Sequence, residues 1–304
     1  MTSVVVAVLT YRRPDDLAEL LPLLEEQARA LHPAARVLVV DNDPAGSARS
    51  VVAASGVAAT YAHEPRPGIA AARNRALDEA GDAEALVFID DDERPGDAWL
   101  QHLVATWQET GSAGVVGPVV SRVDAPHGPW VAAGDFFRRR RLPTGSPVAV
   151  AATNNLLLDL RRVRPTGISF DERFGISGGS DTLFTRQLVA AGLQLVWCDE
   201  AVVTDVVPAH RATRGWVLRR ALRSGNGWSR TSLVLATGRG RRARTRAVLT
   251  ARGGVRALGG AGRFAWGVLS RSAHHRARGA RTAARGLGML TGAFGSTYAE
   301  YRRG

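Results

Sequence analysis

Short apolar runs alternate with amphipathic stretches along the first part of the chain. The runs at residues 3–9, 36–40 and 86–89 have the length of buried strands and carry no polar alternation. Between them, leucines at helical spacing follow Pro14, and the alanine-rich residues 69–80 predict a second helix. Strand, helix, strand, helix, strand is the order typical of a mostly parallel sheet with helices on both faces.

The same alternation continues beyond residue 110, with shorter elements. Residues 114–120, 195–197 and 201–203 are predicted strands, and residues 182–191 are a predicted helix that Gly192 ends. The pattern therefore predicts an α/β fold with a mostly parallel central sheet and flanking helices.

Polar side chains collect where three predicted strands end. Thr10 follows the first strand, Asp41 follows the second, and Asp90, Asp91 and Asp92 follow the run at residues 86–89. Ligands of open α/β sheets bind at this edge, and carboxylates crowded there repel one another unless a cation neutralises them. Oxygen ligands suit Mg²⁺ or Mn²⁺, which commonly also bind substrate phosphates. We expect a divalent metal site that holds a phosphate-bearing substrate; the alternative is an acidic turn, which convergence of three strand ends makes less favoured.

Four further polar residues are ambiguous on pattern alone. Asn154 and Asn155 lie between two apolar stretches, where buried amides need partners and either hold a backbone turn or reach a sugar hydroxyl. Asp181 begins a predicted helix and is an ordinary cap in isolation. His210 follows an apolar segment, a position where a single histidine is usually structural.

Charge divides the chain unevenly. Residues 1–210 contain 19 arginines and 27 acids, a net charge of −8, whereas residues 211–304 contain 21 arginines and one acid, a net charge of +20. The asymmetry predicts an acidic catalytic body and a basic extension that binds an anionic partner.

The basic extension has partly amphipathic segments. Residues 211–223 predict a basic helix, and a helical wheel of residues 252–271 separates cationic from apolar positions. The two sides consist of Arg252, Arg256 and Arg263, and of Leu258, Ala265 and Leu269. Such helices bind anionic membrane surfaces. Five glycines between residues 253 and 262 weaken the helix prediction, and a solvated, flexible extension is the alternative.

Cysteine content and hydropathy indicate the cellular compartment of the protein. Cys198 is the single cysteine, so no intramolecular disulfide can form and a reducing compartment is natural. We find no pattern of a signal peptide and no apolar run of membrane-spanning length. We expect a cytoplasmic protein, held peripherally on the inner face of the cell membrane.

Several motifs occur in an order that resembles a known enzyme family. They are VVVAVLTYRR at residues 4–13, VLVVDN at residues 37–42, PGIAAARN at residues 67–74, FIDDD at residues 88–92, Gly179-Ser180-Asp181, and His210 after a strand. The chain resembles the family 2 glycosyltransferases, inverting enzymes with a GT-A fold, over about residues 3–230. Arg12 stands where many relatives have asparagine, and Ser180 stands where glutamate is frequent.

The resemblance implies how a nucleotide sugar would be bound. Asp41 corresponds to the carboxylate that receives the imide N–H of the base, and Thr10, Tyr11 and Arg13 would line the base and ribose pocket. Arg73 would lie near the diphosphate or the base.

The resemblance also assigns the reacting groups. Asp90 and Asp92 correspond to the outer acids of the DXD element, with Asp90 nearer the ribose, Asp92 on Mn²⁺ or Mg²⁺, and Asp91 beside the nucleotide sugar. Asp181 corresponds to the general base that takes the acceptor's proton. His210 corresponds to a position that adds a metal ligand in some relatives.

These expectations define a domain plan and a function. Residues 1–210 would be the GT-A catalytic domain, with the nucleotide-sugar-binding half at about 1–120 and the acceptor half at about 121–210. Residues 211–304 would be a basic helical extension on the membrane surface. The predicted activity is inverting transfer of a sugar from a nucleotide-diphosphate sugar to an acceptor hydroxyl of a glycan, a glycolipid or a small molecule, in cell-envelope synthesis.

Two alternative functions fit the sequence less well. A nucleotidyltransferase would usually have a glycine-rich loop after the first strand, and residues 10–14 contain no glycine. A nucleic-acid-binding protein would use the arginine-rich extension, but that extension lacks regularly interleaved aromatic residues for base stacking.

Overall fold

The computed structural model describes residues 3–123 and 126–296, which form two compact units. Among these residues, the first unit contains 3–120, 139–176 and 180–205, and the second contains 121–123, 126–138, 177–179 and 206–296. The domain boundary predicted at residue 210 stays a prediction.

Ten strands occur among the described residues. They are β1 (Val4–Thr10), β2 (Arg36–Asp41), β3 (Ala59–His63), β4 (Ala85–Asp90), β5 (Glu93–Pro95), β6 (Gly114–Val116), β7 (Val119–Arg122), β8 (Asn155–Asp159), β9 (Leu195–Trp197) and β10 (Val203–Val206). The predicted strand at residues 114–120 is thus two strands, because Gly117 and Pro118 interrupt it. The strand predicted at residues 201–203 begins at Val203 instead.

The same part of the chain contains ten α-helices. They are α1 (Pro14–Arg29), α2 (Arg49–Ala54), α3 (Ile69–Glu79), α4 (Trp99–Thr110), α5 (Pro129–Gly134), α6 (Leu160–Val163), α7 (Ser180–Ala190), α8 (Arg214–Leu235), α9 (Arg239–Leu269) and α10 (Ala273–Ala293). Two short 3-10 helices, Arg164–Thr166 and Glu172–Phe174, complete the elements.

The first unit is built on a mostly parallel sheet, which confirms the predicted fold class. Its seven strands among the described residues have the order β3-β2-β1-β4-β8-β6-β9, and β8 is antiparallel to both neighbours. A smaller sheet has the order β5-β10-β7, with β10 antiparallel to β5.

The apolar strands follow from burial on both faces of the large sheet. In β1, Val6 and Val8 pack with the leucines of α1 on one face, whereas Val5 and Ala7 pack with the alanines of α3 on the other. Because successive side chains of a strand point to opposite faces, a strand covered on both sides must be apolar throughout.

The second unit is mainly α8, α9 and α10, with α10 packed along both other helices. Gly253, Gly260 and Gly267 of α9 lie against the backbone or small residues of α10. At Gly260, a Cβ atom would overlap Ala283. The glycines therefore permit close helix contact, and this packing outweighs the helix-propensity cost that weakened the prediction. No helix among the described residues combines the length and the apolar content needed to cross a membrane.

Candidate active site

The acids after β4 lie where the neighbouring strands also end. Strand β1 lies between β2 and β4, with Thr10 paired to Asp41 and Leu9 paired to Asp90. The carboxyl ends of the three strands therefore form one edge. The chain order changes direction between β1 and β4, the place where open α/β sheets bind ligands.

Arg13 is the positive partner of this acidic edge. Its Nη1 atom lies 2.7 Å from Asp91 Oδ1 and 2.7 Å from Asp92 Oδ2. The Arg13 side chain is 34% exposed and that of Asp91 only 6%. Thr10 also hydrogen-bonds the Asp91 side chain. Burial opposes the charge of Arg13, but Asp91 and Asp92 raise its pKa, so the guanidinium stays charged.

The acidic run carries more negative charge than Arg13 compensates. Burial raises the pKa of Asp90 to about 7; Arg73 opposes this shift, while Asp92, Asp91 and Asp181 add to it. Burial likewise raises the pKa of Asp91 to about 6, against the opposing charge of Arg13. The pKa of Glu93 is raised well above its usual range, chiefly by burial and then by Asp90. A site that penalises its own carboxylates in this way favours a cation.

Asp181 is the second residue of α7 and acts electrostatically on this charge cluster. The neighbouring Ser180 is fully buried and accepts a 2.7 Å hydrogen bond from Arg73 Nη1. The Arg73 guanidinium, which is 8% exposed, also lies 5.6 Å from the centre of the Phe170 ring. Arg73 of α3 thus fixes the first residue of α7, and Asp181 remains partly exposed and electrostatically coupled to Asp90.

Asp41 is fully buried and bound by its own chain. Its carboxylate accepts hydrogen bonds from the backbone of Asp43 at 2.9 Å and of Ala48 at 2.7 Å, and from Tyr61 Oη at 3.0 Å. Burial, followed by the hydrogen bond to Asp41, raises the pKa of Tyr61 to about 12. These contacts organise the loop after β2, and a role of Asp41 toward a nucleotide base stays a prediction.

The two asparagines have different environments. Asn154 is partly exposed and donates from Nδ2 to Glu93 Oε1 at 2.6 Å. Asn155 is 1% exposed, accepts from Trp99 Nε1 and donates to the carbonyls of Pro118 and Ala201. Asn155 therefore has the contacts of a structural amide, whereas Asn154 sits beside the acidic run.

Tyr11 and His210 are two further predicted site residues. Tyr11 is partly exposed in the loop after β1, where the Arg12 guanidinium lies 5.2 Å from its ring centre. His210 is exposed in the second unit, and its carbonyl accepts from Thr213 Oγ1 at 3.2 Å.

The donor set fits a divalent cation that brings other ligands. In the residues described, no group of three or more His, Cys, Asp or Glu side chains has the arrangement of a complete metal site. The run from Asp90 to Glu93 supplies carboxylate oxygens of the kind Mg²⁺ and Mn²⁺ prefer, with uncompensated charge. One or two protein carboxylates with diphosphate oxygens are a usual arrangement for such ions.

Three residues that contact the predicted site residues are not themselves among those predicted from the sequence. The first is Glu93, whose carboxylate accepts hydrogen bonds from Asn154 Nδ2 and from the backbone N–H of Asp90. The second is Ser180, which departs from the family motif, and the third is Tyr61, which donates a hydrogen bond to Asp41. Continuation of the acidic run to a fourth residue was the available signal for Glu93; the other two depend on contacts distant in sequence.

Comparison of the sequence with known proteins finds glycosyltransferases. The sequence model described as Glycosyl transferase family 2 matches residues 5–158. The succinoglycan biosynthesis protein ExoM of Rhizobium meliloti is 35% identical over 226 residues, covering 72% of this chain and 72% of that protein. The galactofuranosyltransferase GlfT1 of Mycobacterium tuberculosis is 34% identical over 131 residues, covering 41% of each chain.

A solved structure shares the fold. The mannosyltransferase PcManGT from Pyrobaculum calidifontis, in complex with GDP-Man and Mn²⁺, superposes with a TM-score of 0.64 at 18% identity, covering 95% of this chain and 86% of that one. The family match and the fold thus define a glycosyltransferase of GT-A type. The chain belongs to glycosyl transferase family 2. The comparisons give no support to a nucleotidyltransferase or a nucleic-acid-binding protein.

Proposed function

We propose that this enzyme transfers a sugar, with inversion, from a nucleotide-diphosphate sugar to an acceptor hydroxyl at the edge formed by β1, β2 and β4. The observation that carries the proposal is the run from Asp90 to Glu93 at that edge, with Asp181 coupled to it electrostatically. The GDP-Man in the PcManGT complex supports a donor of this class.

Donor binding is proposed to use the loops after β1 and β2. Thr10, Tyr11 and Arg13 would line the base and ribose pocket, with Asp41 behind them. Arg13 contacts Asp91 and Asp92, and Arg73 acts electrostatically on Asp90, so both would neutralise diphosphate oxygens. Asp91, which is held by Thr10 and Arg13, would keep the loop between β4 and β5 in place.

Asp92 and Asp90 are the residues proposed to hold Mn²⁺ or Mg²⁺. When bound, the ion would act as a Lewis acid on the leaving diphosphate. The Mn²⁺ in the PcManGT complex supports this assignment. His210 would add a ligand in the same proposal, with support from sequence resemblance alone.

Asp181 is the proposed general base. It is partly exposed, lies at the start of a rigid helix, and is fixed through Ser180 and Arg73. A carboxylate there can take the proton of an attacking hydroxyl on the face opposite the leaving group, so that no covalent enzyme intermediate is needed.

The acceptor is proposed to be a hydroxyl of a cell-envelope glycan or glycolipid. The names of ExoM, a succinoglycan biosynthesis protein, and of GlfT1, a galactofuranosyltransferase, support this class. Asn154 would contact the acceptor; Asn155, although predicted for the same role, is buried and its amide is fully engaged. The arginine-rich second unit is proposed to hold the enzyme on the inner face of the cell membrane.

The test separates donor binding from transfer. We expect Asp181→Asn to bind nucleoside diphosphates as the wild type does, yet to lose about 10²–10⁴-fold in the release of nucleoside diphosphate from a panel of UDP-, dTDP- and GDP-sugars with cell-envelope extract as acceptor. Glu172→Gln, an exposed acid nearby, is the control and should keep full activity. Undiminished transfer by Asp181→Asn would exclude it as the base.

A further inference from the structure

The outer face of α9 carries large apolar side chains in water. Val248, Val255, Leu258, Trp266 and Leu269 are 40%, 73%, 76%, 58% and 78% exposed. Their spacing places them on one side of the helix. The other side, with Leu249, Gly253, Gly260 and Gly267, is buried. Exposed apolar surface of this extent marks an interaction site.

The charge of α9 restricts the partner to an anion. The helix contains eight arginines and no acidic residue, and residues 211–296 contain neither Asp nor Glu. Arg244 and Arg252 are exposed and lie one turn before and one turn after Val248, so they border the apolar face directly.

We infer that this apolar face and its bordering arginines, from Arg244 to Leu269, form the surface through which the enzyme lies on an anionic lipid bilayer. The inference rests on the peripheral-membrane part of the proposed function and specifies its surface. The helix is about 46 Å long at 1.5 Å per residue and would lie in the plane of the membrane. Its apolar side chains would enter the boundary between headgroups and acyl chains, and its arginines would contact lipid phosphates.

The other partners suit this face less well. The apolar positions also fit a coiled-coil spacing, but a second copy would bring arginines against arginines with no acid to pair them. A nucleic acid would satisfy the arginines, but it would leave the aliphatic side chains in water, since stacking on bases requires aromatic rings. A bilayer satisfies both the charged and the apolar parts.

The test is co-sedimentation of the full chain with lipid vesicles. The wild type should bind vesicles of mixed phosphatidylglycerol and phosphatidylcholine, and should bind pure phosphatidylcholine much more weakly. The double variant Val255→Gln/Leu258→Gln should bind the anionic vesicles about tenfold less tightly or worse, because two exposed anchors lose their apolar transfer free energy. Leu287→Gln, which changes an exposed leucine of α10, is the matched control and should bind as the wild type does.

The outcomes distinguish the surface from the function. Equal binding by the double variant and the wild type, or an equal loss in Leu287→Gln, would overturn the assignment to α9. Failure of the wild type to bind anionic vesicles would overturn the membrane partner altogether. Nucleoside diphosphate binding, measured on the same proteins, should be the same in every variant as in the wild type. If the wild type itself does not bind nucleoside diphosphates, that result would instead count against the proposed glycosyltransferase site.

Discussion

Replacing Asp90 by asparagine should stabilise the metal-free protein at alkaline pH. Burial and the neighbouring acids Asp92 and Asp91 raise the pKa of Asp90 from 3.8 to about 7 even though Arg73 opposes the shift. The folded state therefore holds the Asp90 proton more tightly than the unfolded state does. Stability is then lost as the pH rises from 3.8 through 7, and asparagine avoids this loss.

The size of the effect follows from the same shift. One pKa unit corresponds to 1.36 kcal/mol, so the rise from pH 5 to the folded pKa of about 7 costs the wild type about 2–3 kcal/mol relative to Asp90→Asn. The stability gap between variant and wild type should widen by that amount between pH 5 and pH 8. A change of this size moves a melting temperature by roughly 4–10 °C.

The assay is thermal and guanidinium unfolding followed by circular dichroism in EDTA, at pH 5 and pH 8. The control is Asp97→Asn, which makes the same substitution at an exposed acid in the loop after β5, outside the acidic run. Saturating Mn²⁺ should reverse the order at pH 8, because the wild type then gains a ligand that stabilises its folded state. A stability gap that is equal at both pH values, or a variant less stable than the wild type at pH 8 without metal, would contradict the raised pKa of Asp90.

Three further variants test other parts of the account. In the absence of nucleotide, Arg13→Gln should bind Mn²⁺ about tenfold more tightly than the wild type, because Asp92 loses its competing cation. Calorimetry measures this affinity, which the control Arg12→Gln should leave unchanged. Weaker Mn²⁺ binding by Arg13→Gln would contradict the explanation. Asn155→Ala should lower the free energy of unfolding, measured by urea titration, by about 2–4 kcal/mol, since it leaves an indole N–H and two carbonyls unpaired. A decrease in the free energy of unfolding below about 1 kcal/mol would show that water replaces the amide. Gly288→Ala should destabilise the second unit by about 1–3 kcal/mol, because the added Cβ atom would overlap Leu222 O. Its control, Gly227→Ala, adds a Cβ atom in open space and should be neutral or stabilising by up to about 1 kcal/mol. Equal melting curves for the two variants would contradict the close packing of α8 and α10.

The central strands and the acidic edge were predictable because one physical rule determines each. A strand buried on both faces must be apolar throughout, which identifies β1, β2 and β4 from the printed residues. Parallel order then places Thr10, Asp41 and Asp90 at one edge before any contact is known.

Contacts between distant residues were not predictable in this way. The antiparallel insertion of β8 between β4 and β6 brings Asn155, a predicted acceptor residue, within hydrogen-bonding distance of Trp99. The hydrogen bond from Arg73 to Ser180 joins residues 107 positions apart, and no local pattern encodes it. The sequence predicts helix α9 only weakly for a related reason. Its glycines disfavour a helix in isolation, but they allow α10 to pack closely against α9.

The most direct test of the proposed active site is calorimetric titration of UDP, dTDP and GDP, each with and without Mn²⁺, into the wild type, Asp92→Asn and the exposed control Asp97→Asn. We expect that one nucleotide binds only when Mn²⁺ is present, that Asp92→Asn abolishes this metal-dependent binding, and that Asp97→Asn keeps it. Binding that is indifferent to Mn²⁺, or that survives in Asp92→Asn, would contradict the assignment of the acidic edge as the metal and nucleotide-sugar site.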